Sequence, residues 1–80
     1  MRTSAVRIEP RAVEVRCTID ALHVRLADSR ELAVPLDWFP RLRKASVEQL
    51  ARHRLIGDGI GICWPDLDED LSVEGLLATR

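Results

Sequence analysis

The sequence is poor in the residues that cross-link small proteins or carry them across membranes. Its 80 residues include two cysteines, two tryptophans, one phenylalanine and no tyrosine. Two cysteines outside a Cys-x-x-Cys pair are too few for a disulfide scaffold, and no apolar run approaches the roughly 20 residues of a membrane span. The N-terminus also lacks the apolar core of a signal peptide. We therefore expect a cytoplasmic protein with reduced cysteines and no membrane partner.

The sequence has no strong excess of either charge. Its formal net charge is −1, from 12 Lys and Arg residues and 13 Asp and Glu residues. Such a balance disfavours partners that attract the whole molecule electrostatically, such as bulk DNA or an anionic membrane surface. A chain of this length buries only about 60% of the surface exposed by its unfolded form. We therefore expect a thin core, to which a partner or a homodimer interface would add stability.

Alternating apolar and polar residues dominate the first half of the chain. Residues 1–11 are predicted to form an N-terminal arm and residues 12–80 a single α+β domain. Three segments, VEVRCTI (13–19), LHVRL (22–26) and LAVPL (32–36), alternate with the period of strands that have one dry face. Their short polar connections predict an antiparallel meander. Ser29 stands where a turn glycine is easier, and Pro35 places the third strand at an edge.

The period changes after Pro40, where helix signals begin. Residues 46–49 (SVEQ) have the order of a capping box, with Ser46 as N-cap and Gln49 bonding back to it. Apolar residues then recur at helical spacing as far as Leu55, and Gly57 ends the helix. Residues 59–64 are a candidate fourth strand. The predicted fold is a three- to four-stranded antiparallel β-meander covered by one amphipathic helix, with a short C-terminal helix.

The acidic run DLDED (66–70) raises the question of a cation site. Asp66, Asp68 and Asp70 match the first three ligand positions of an EF-hand loop, but Leu71 replaces its turn glycine and Leu77 its bidentate glutamate. A turn whose acids precede a helix N-terminus is favoured instead. A cation- or ligand-binding turn stays open as an alternative.

Catalytic and metal-binding constellations are weak in this sequence. Cys17 and His23 are predicted on opposite strand faces, and His53 has no second ligand one helical turn away. The glycine run 57–61 leads from a helix towards a strand, the reverse of a dinucleotide-binding fingerprint. The adjacent acids of residues 66–70 would share one environment, unlike an acid–base pair. We expect no enzyme activity, no catalytic residue, no metal site and no cofactor.

Charge is unevenly distributed along the second half of the chain. The basic residues are Arg41, Arg43, Lys44, Arg52 and Arg54, and the acidic residues are Asp66, Asp68, Glu69 and Asp70. Such asymmetry is typical of a solvated face or of a docking surface for a charged partner. No aromatic residue is interleaved with the bases, so nucleic acid is not favoured. We predict that these nine residues contact a protein partner.

Three motifs carry a family resemblance. WFPRL (38–42), GIGICWPDLDED (59–70) and SVEGLL (72–77) resemble domain-of-unknown-function family 2442, a group of small bacterial proteins, and the similarity spans about residues 12–78. The resemblance implies a small β-rich domain with a short helix on the sheet, and it brings no catalytic motif. Genes of this family often lie beside a gene for a small protein of family 4160, and the pair has the look of a type II toxin–antitoxin module.

The leading functional hypothesis is therefore a non-enzymatic, antitoxin-like protein that neutralises a small toxin-like partner by direct contact. The alternatives are a DNA-binding autoregulator that acts as a dimer and a cation- or ligand-binding module that uses the acidic turn. These alternatives differ in their responses to salt and to calcium, since binding to DNA weakens steeply with salt and a bound cation raises the melting temperature.

Overall fold

The computed structural model describes residues 10–78, so most of the predicted N-terminal arm lies outside the described residues. Within this range the strands are β1 (Ala12–Cys17), β2 (Ala21–Leu26), β3 (Glu31–Pro35), β4 (Arg54–Ile56), β5 (Gly61–Trp64) and β6 (Glu69–Ser72). The α-helices are α1 (Pro40–Arg43), α2 (Val47–Ala51) and α3 (Val73–Ala78). Short 3₁₀ turns occupy Leu36–Trp38, Gly57–Gly59 and Pro65–Leu67.

The strands form two antiparallel sheets of three strands each. Their orders are β1-β2-β3 and β4-β5-β6, and each sheet is a simple meander followed by short helical segments. The α+β class predicted from the sequence is confirmed. The candidate strand at residues 59–64 corresponds to β5, but β4 and β6 were not predicted, because they are only three and four residues long and show little alternation.

The first sheet follows the predicted alternation. Leu22, Val24 and Leu26 on the central strand are all buried, and polar residues occupy the other face. Ser29 has a φ of +78°, the left-handed conformation that a turn glycine adopts more easily. Pro35 ends β3, which has a strand partner on one side only, so its missing N–H costs no ladder hydrogen bond.

The main difference from the predicted fold is the covering helix, which is shorter than expected. The capping box is present, with Gln49 N donating to Ser46 Oγ (3.1 Å) and Ser46 N donating to Gln49 Oε1 (2.9 Å). The helix nevertheless ends at Ala51, and Leu55 lies in β4 opposite Ile62. Val47, expected to face inward, is 79% exposed. A capping box determines where a helix begins but not its length, and pairing with β5 satisfies the backbone that a longer helix would have bonded internally.

The core is one cluster to which both sheets contribute. Trp64 on β5 is fully buried, and its indole Nε1–H donates to the carbonyl oxygen of Leu50 at 3.1 Å. Leu50 is the buried residue of α2, which packs beside β1. The tryptophan therefore joins the second sheet to the helix that lies on the first.

A second junction joins the start of β1 to the 3₁₀ turn Gly57–Gly59. Gly59 has a φ of +98°, and a Cβ added there would lie 2.4 Å from the carbonyl oxygen of Ala12. Arg11 Nη1 donates to the carbonyl oxygens of Gly57 (3.3 Å) and Asp58 (3.4 Å). Any side chain at position 59 would push β1 away from the 3₁₀ turn.

We expect Gly59→Ala to lower the free energy of unfolding by about 1–3 kcal/mol, from left-handed strain and the backbone clash. The control is Gly75→Ala in α3, where the new Cβ meets only Ser72 atoms at 3.5 Å or more, and where alanine should stabilise the helix by about 0.5–1 kcal/mol. Thermal unfolding followed by circular dichroism measures both changes. Equal melting temperatures for the two variants would contradict this account of Gly59.

We expect Trp64→Phe to cost about 1–3 kcal/mol, because the Leu50 carbonyl oxygen loses its indole donor and keeps only the longer 3.3 Å contact with His53 Nδ1. Trp38, which is 44% exposed, provides the control, and Trp38→Phe should change stability by less than about 0.5 kcal/mol. Urea denaturation followed by far-ultraviolet circular dichroism compares them. A tolerated Trp64→Phe would mean that the indole hydrogen bond does not connect the two halves.

Candidate functional site

The basic and acidic groups that are separate in sequence meet in the structure. Arg41 Nη1 donates to the carbonyl oxygen of Asp68 at 2.6 Å and lies 3.7 Å from Glu69 Oε1. Arg52 Nε donates to Asp66 Oδ2 at 2.5 Å. These contacts hold the acidic turn against α1 and the end of α2. Arg41 and Arg52 therefore form one surface of mixed charge with the acidic turn, rather than a separate basic patch.

The remaining predicted contact residues are more dispersed. Arg43 bonds elsewhere, with Nε 3.0 Å from Asp37 Oδ1 and Nη1 2.9 Å from the carbonyl oxygen of Ile19. Lys44 forms no ion pair within residues 10–78. Arg54 on β4 and Asp70 on β6 lie on the second sheet, with Cys63 between them. All nine residues stay predicted partner contacts, and the structure shows how they are arranged.

The three aspartates of the acidic run occupy different kinds of backbone. Asp66 lies in a 3₁₀ turn, Asp68 has a left-handed φ of +54°, and Asp70 belongs to β6. Across residues 10–78, no group of three or more His, Cys, Asp or Glu side chains is placed to hold a metal ion. The predicted turn therefore ends at Asp68, earlier than expected, and a strand follows it.

The two thiols are poorly suited to nucleophilic chemistry. The hydrogen bond that the Cys63 thiol donates to the Asp70 carboxylate, assisted by desolvation, raises the pKa of Cys63, and nearby Arg54 opposes this only in part. Burial raises the pKa of Cys17. Because the thiolate is the reactive form, both shifts lower reactivity near neutral pH.

A cavity of about 460 Å³ lies on the outer face of the second sheet. Its apolar lining includes Ile56, Ile60 and Leu71, and its charged lining consists of Asp70 and Glu74. Gly61 makes room for the Ile56 side chain, because a Cβ on Gly61 would lie 2.9 Å from Ile56 Cγ1. We call this the acidic cavity, since its lining within residues 10–78 holds two carboxylates and no cationic side chain.

Part of the apolar lining of the acidic cavity is exposed to solvent. Ile56 is 43% exposed and Ile60 is 39% exposed. Sequence reasoning missed both residues, because Ile56 was placed at the end of a helix and Ile60 inside a strand. The sequence signal that was present is the glycine pair flanking Ile60, which indicates a tight turn and so an exposed position.

A second apolar depression, of about 660 Å³, runs between β1 and α2. Its lining includes Val15, Cys17 and Leu50, with Arg16 and Arg43 as cations and no carboxylate among residues 10–78. The most exposed large apolar side chains of residues 10–78, Ile19 (81%) and Val47, belong to this lining. We call this the β1 groove.

Residues 12–80 match the family model described as "Protein of unknown function (DUF2442)". The chain belongs to this family. Its structure is similar to the crystal structure of a protein of unknown function from Rhodospirillum rubrum ATCC 11170, with a TM-score of 0.78 and 36% sequence identity over 89% of this chain and 88% of the other. No curated protein matches the sequence significantly. The family resemblance drawn from the three motifs is confirmed.

The helices within residues 10–78 are all too short or too polar to cross a membrane.

We expect Asp70→Asn to lower the pKa of Cys63, because the change removes the negative charge that opposes thiolate formation. The rate of Cys63 alkylation by iodoacetamide at mildly alkaline pH should rise, while the rate at Cys17 in the same chain should stay constant. Mass spectrometry of the two cysteine-containing peptides separates them. An unchanged Cys63 rate would show that Asp70 does not control this thiol.

Proposed function

We propose that this protein is a non-enzymatic binding protein, the antitoxin-like member of a two-protein pair, and that it neutralises its small protein partner by direct contact. The observation that carries the proposal is the acidic cavity, where exposed Ile56 and Ile60 lie beside the carboxylates of Asp70 and Glu74. Apolar surface rimmed by polar groups is typical of interaction sites.

The charge of the acidic cavity indicates the chemistry of the partner. Two carboxylates, with no cation among the described lining residues, favour a partner segment that presents an apolar side chain flanked by Lys or Arg. Such complementarity speeds encounter and fixes orientation more than it adds affinity. Most of the affinity would then come from burial of Ile56 and Ile60.

The predicted contact residues extend this surface unevenly. Asp70 lines the acidic cavity and Arg54 lies on the same sheet face, two residues before Ile56. Arg41 and Arg52 hold the acidic turn, which leads directly into β6. In this proposal, Asp70 contacts the partner directly, and the two arginines position the strand that carries it.

The internal pairing of charges supports a protein partner over nucleic acid. The positive charges of Arg41 and Arg52 are offset by Glu69 and Asp66 at close range. Paired guanidinium groups release fewer counterions on binding a phosphate backbone, so they contribute less to its affinity. The raised pKa values of both thiols likewise support a binding role over covalent catalysis.

The test is co-expression of the full chain with the small-protein gene beside it, followed by measurement of the dissociation constant of the purified pair. Ile56→Asp should weaken the complex about tenfold or more, because a buried, unpaired carboxylate replaces apolar contact. Trp38→Asp is the matched control, since Trp38 has nearly the same exposure and lies outside the acidic cavity. Circular dichroism confirms that both variants are folded.

A reversal of cavity charge gives an independent measurement. Asp70→Lys combined with Glu74→Lys should slow association and reverse its salt dependence, while Arg43→Glu with Lys44→Glu tests two predicted contact residues that do not line the acidic cavity. Failure of the chain to retain its neighbour during purification, or equal affinity for Ile56→Asp and Trp38→Asp, would remove the proposal.

A further inference from the structure

The open edge of β1 is the starting point. β1 pairs with β2 on one side and with no strand of residues 10–78 on the other. The hydrogen bond from Thr18 N to the Ala21 carbonyl oxygen determines which residues of β1 form hydrogen-bonded pairs with β2. Because hydrogen-bonded and non-hydrogen-bonded pairs alternate, the backbone N–H and C=O groups of Val15 and Cys17 point away from β2.

Apart from the register shift at its start, this edge has few of the features that usually prevent strand addition. Natural edge strands carry proline, lysine or a covering segment. The opposite edge of the same sheet has Pro35, whereas β1 reads AVEVRC and has neither proline nor lysine. Its first residue is covered, because Gly59 packs on Ala12, and the register shifts before Glu14. The free edge therefore runs from about Val13 to Cys17.

We propose that two copies of this chain pair through β1, antiparallel and about a two-fold axis at Val15, to form a continuous six-stranded sheet. The inference is independent of the proposed function, because it uses a different surface and needs no second gene product. The occupant of the β1 edge is a second copy rather than another protein because β1 is complementary to itself.

The complementarity lies in the alternating charges of β1. With the axis at Val15, Glu14 stands opposite Arg16 of the second copy, and Arg16 stands opposite Glu14 of the second copy. Directly opposed unlike charges stabilise an antiparallel pair, and like charges destabilise it. Both residues lie on the solvent face, where Glu14 already accepts a hydrogen bond from Arg25 Nε at 3.0 Å.

Other positions of the axis fail on geometry or charge. An axis at Glu14 or Arg16 would place like charges opposite each other, and their backbone groups already point towards β2. An axis at Cys17 would overlap the two strands at that residue alone, because β1 ends there. An axis at Val13 would bring Ala12 into the pairing, where Gly59 already packs. Val15 is left as the residue with free backbone groups and paired charges on both sides.

The β1 groove is consistent with this arrangement. Val15 and Cys17 line it on the core face of the first sheet, with exposed Ile19 and Val47 nearby. A second β1 strand would add its own Val15 and Cys17 to this apolar lining. An isologous interface uses the same patch on both subunits, so both β1 grooves would be covered in one event.

Sedimentation equilibrium of the full chain alone, over a micromolar concentration series, tests the proposal. The natural chain should dimerise, and Glu14→Arg or Arg16→Glu alone should weaken the dimer about tenfold or more, because each places two like-charge pairs at the interface. The double variant with both changes restores opposite charges and should recover the dimer. Glu31→Arg is the control, since Glu31 stands opposite Arg25 on the same face at the far edge.

Cross-linking checks the register if a charge reversal disturbs the fold. In a chain carrying Cys17→Ser and Cys63→Ser, Val15→Cys should form an intermolecular disulfide on mild oxidation, because opposed Cα atoms in such a pair are about 5.5 Å apart. Ala33→Cys in the same background should not. A monomeric natural chain at every concentration, failure of the folded double variant to recover the dimer, or equal cross-linking at positions 15 and 33 would overturn the proposal.

Discussion

The hydrogen bond from the Trp64 indole to the Leu50 carbonyl oxygen is the contact on which the architecture depends. Leu50 lies in the last turn of the short helix whose start is set by Ser46 and Gln49, and Trp64 ends the central strand of the second sheet. Each sheet has only three strands and one buried face, which is about the minimum that independent stability requires. By joining the helix beside β1 to the second sheet, the tryptophan lets two marginal meanders share one core.

The sequence predicted the first sheet well because burial of one face of a strand leaves a period of two in the residues. It predicted the second sheet poorly, because β4, β5 and β6 are too short to show a period, and Gly61 contributes no side chain to either face. The capping box was read correctly as a helix start. The length of that helix was not predicted correctly, since Leu55 fits a helical face and a strand equally well. Only pairing with Ile62 decides between them.

The candidate site was harder to predict than the fold. The sequence identifies the charged residues, but it does not show that Arg41 and Glu69, 28 positions apart, would be neighbours. Nor does it show that Val47 would be exposed, because its apolar side chain follows the N-cap and its orientation depends on tertiary packing. Family membership is visible in local motifs such as GIGICWPDLDED, which spans β5 and includes left-handed backbone at Gly59 and Asp68.

The contact between Arg11 and Asp58 is expected to form later in folding than the strand pairs of the two meanders. Both meanders are hairpins whose partners are close in sequence, whereas this junction closes a loop of 47 positions. Local contacts form before distant ones because a longer loop loses more chain entropy when it closes. The acidic cavity is lined almost wholly by residues 56–74, within the later half of the chain. The acidic cavity can therefore form when the strands of the second sheet pair, before the two sheets pack together around the common core.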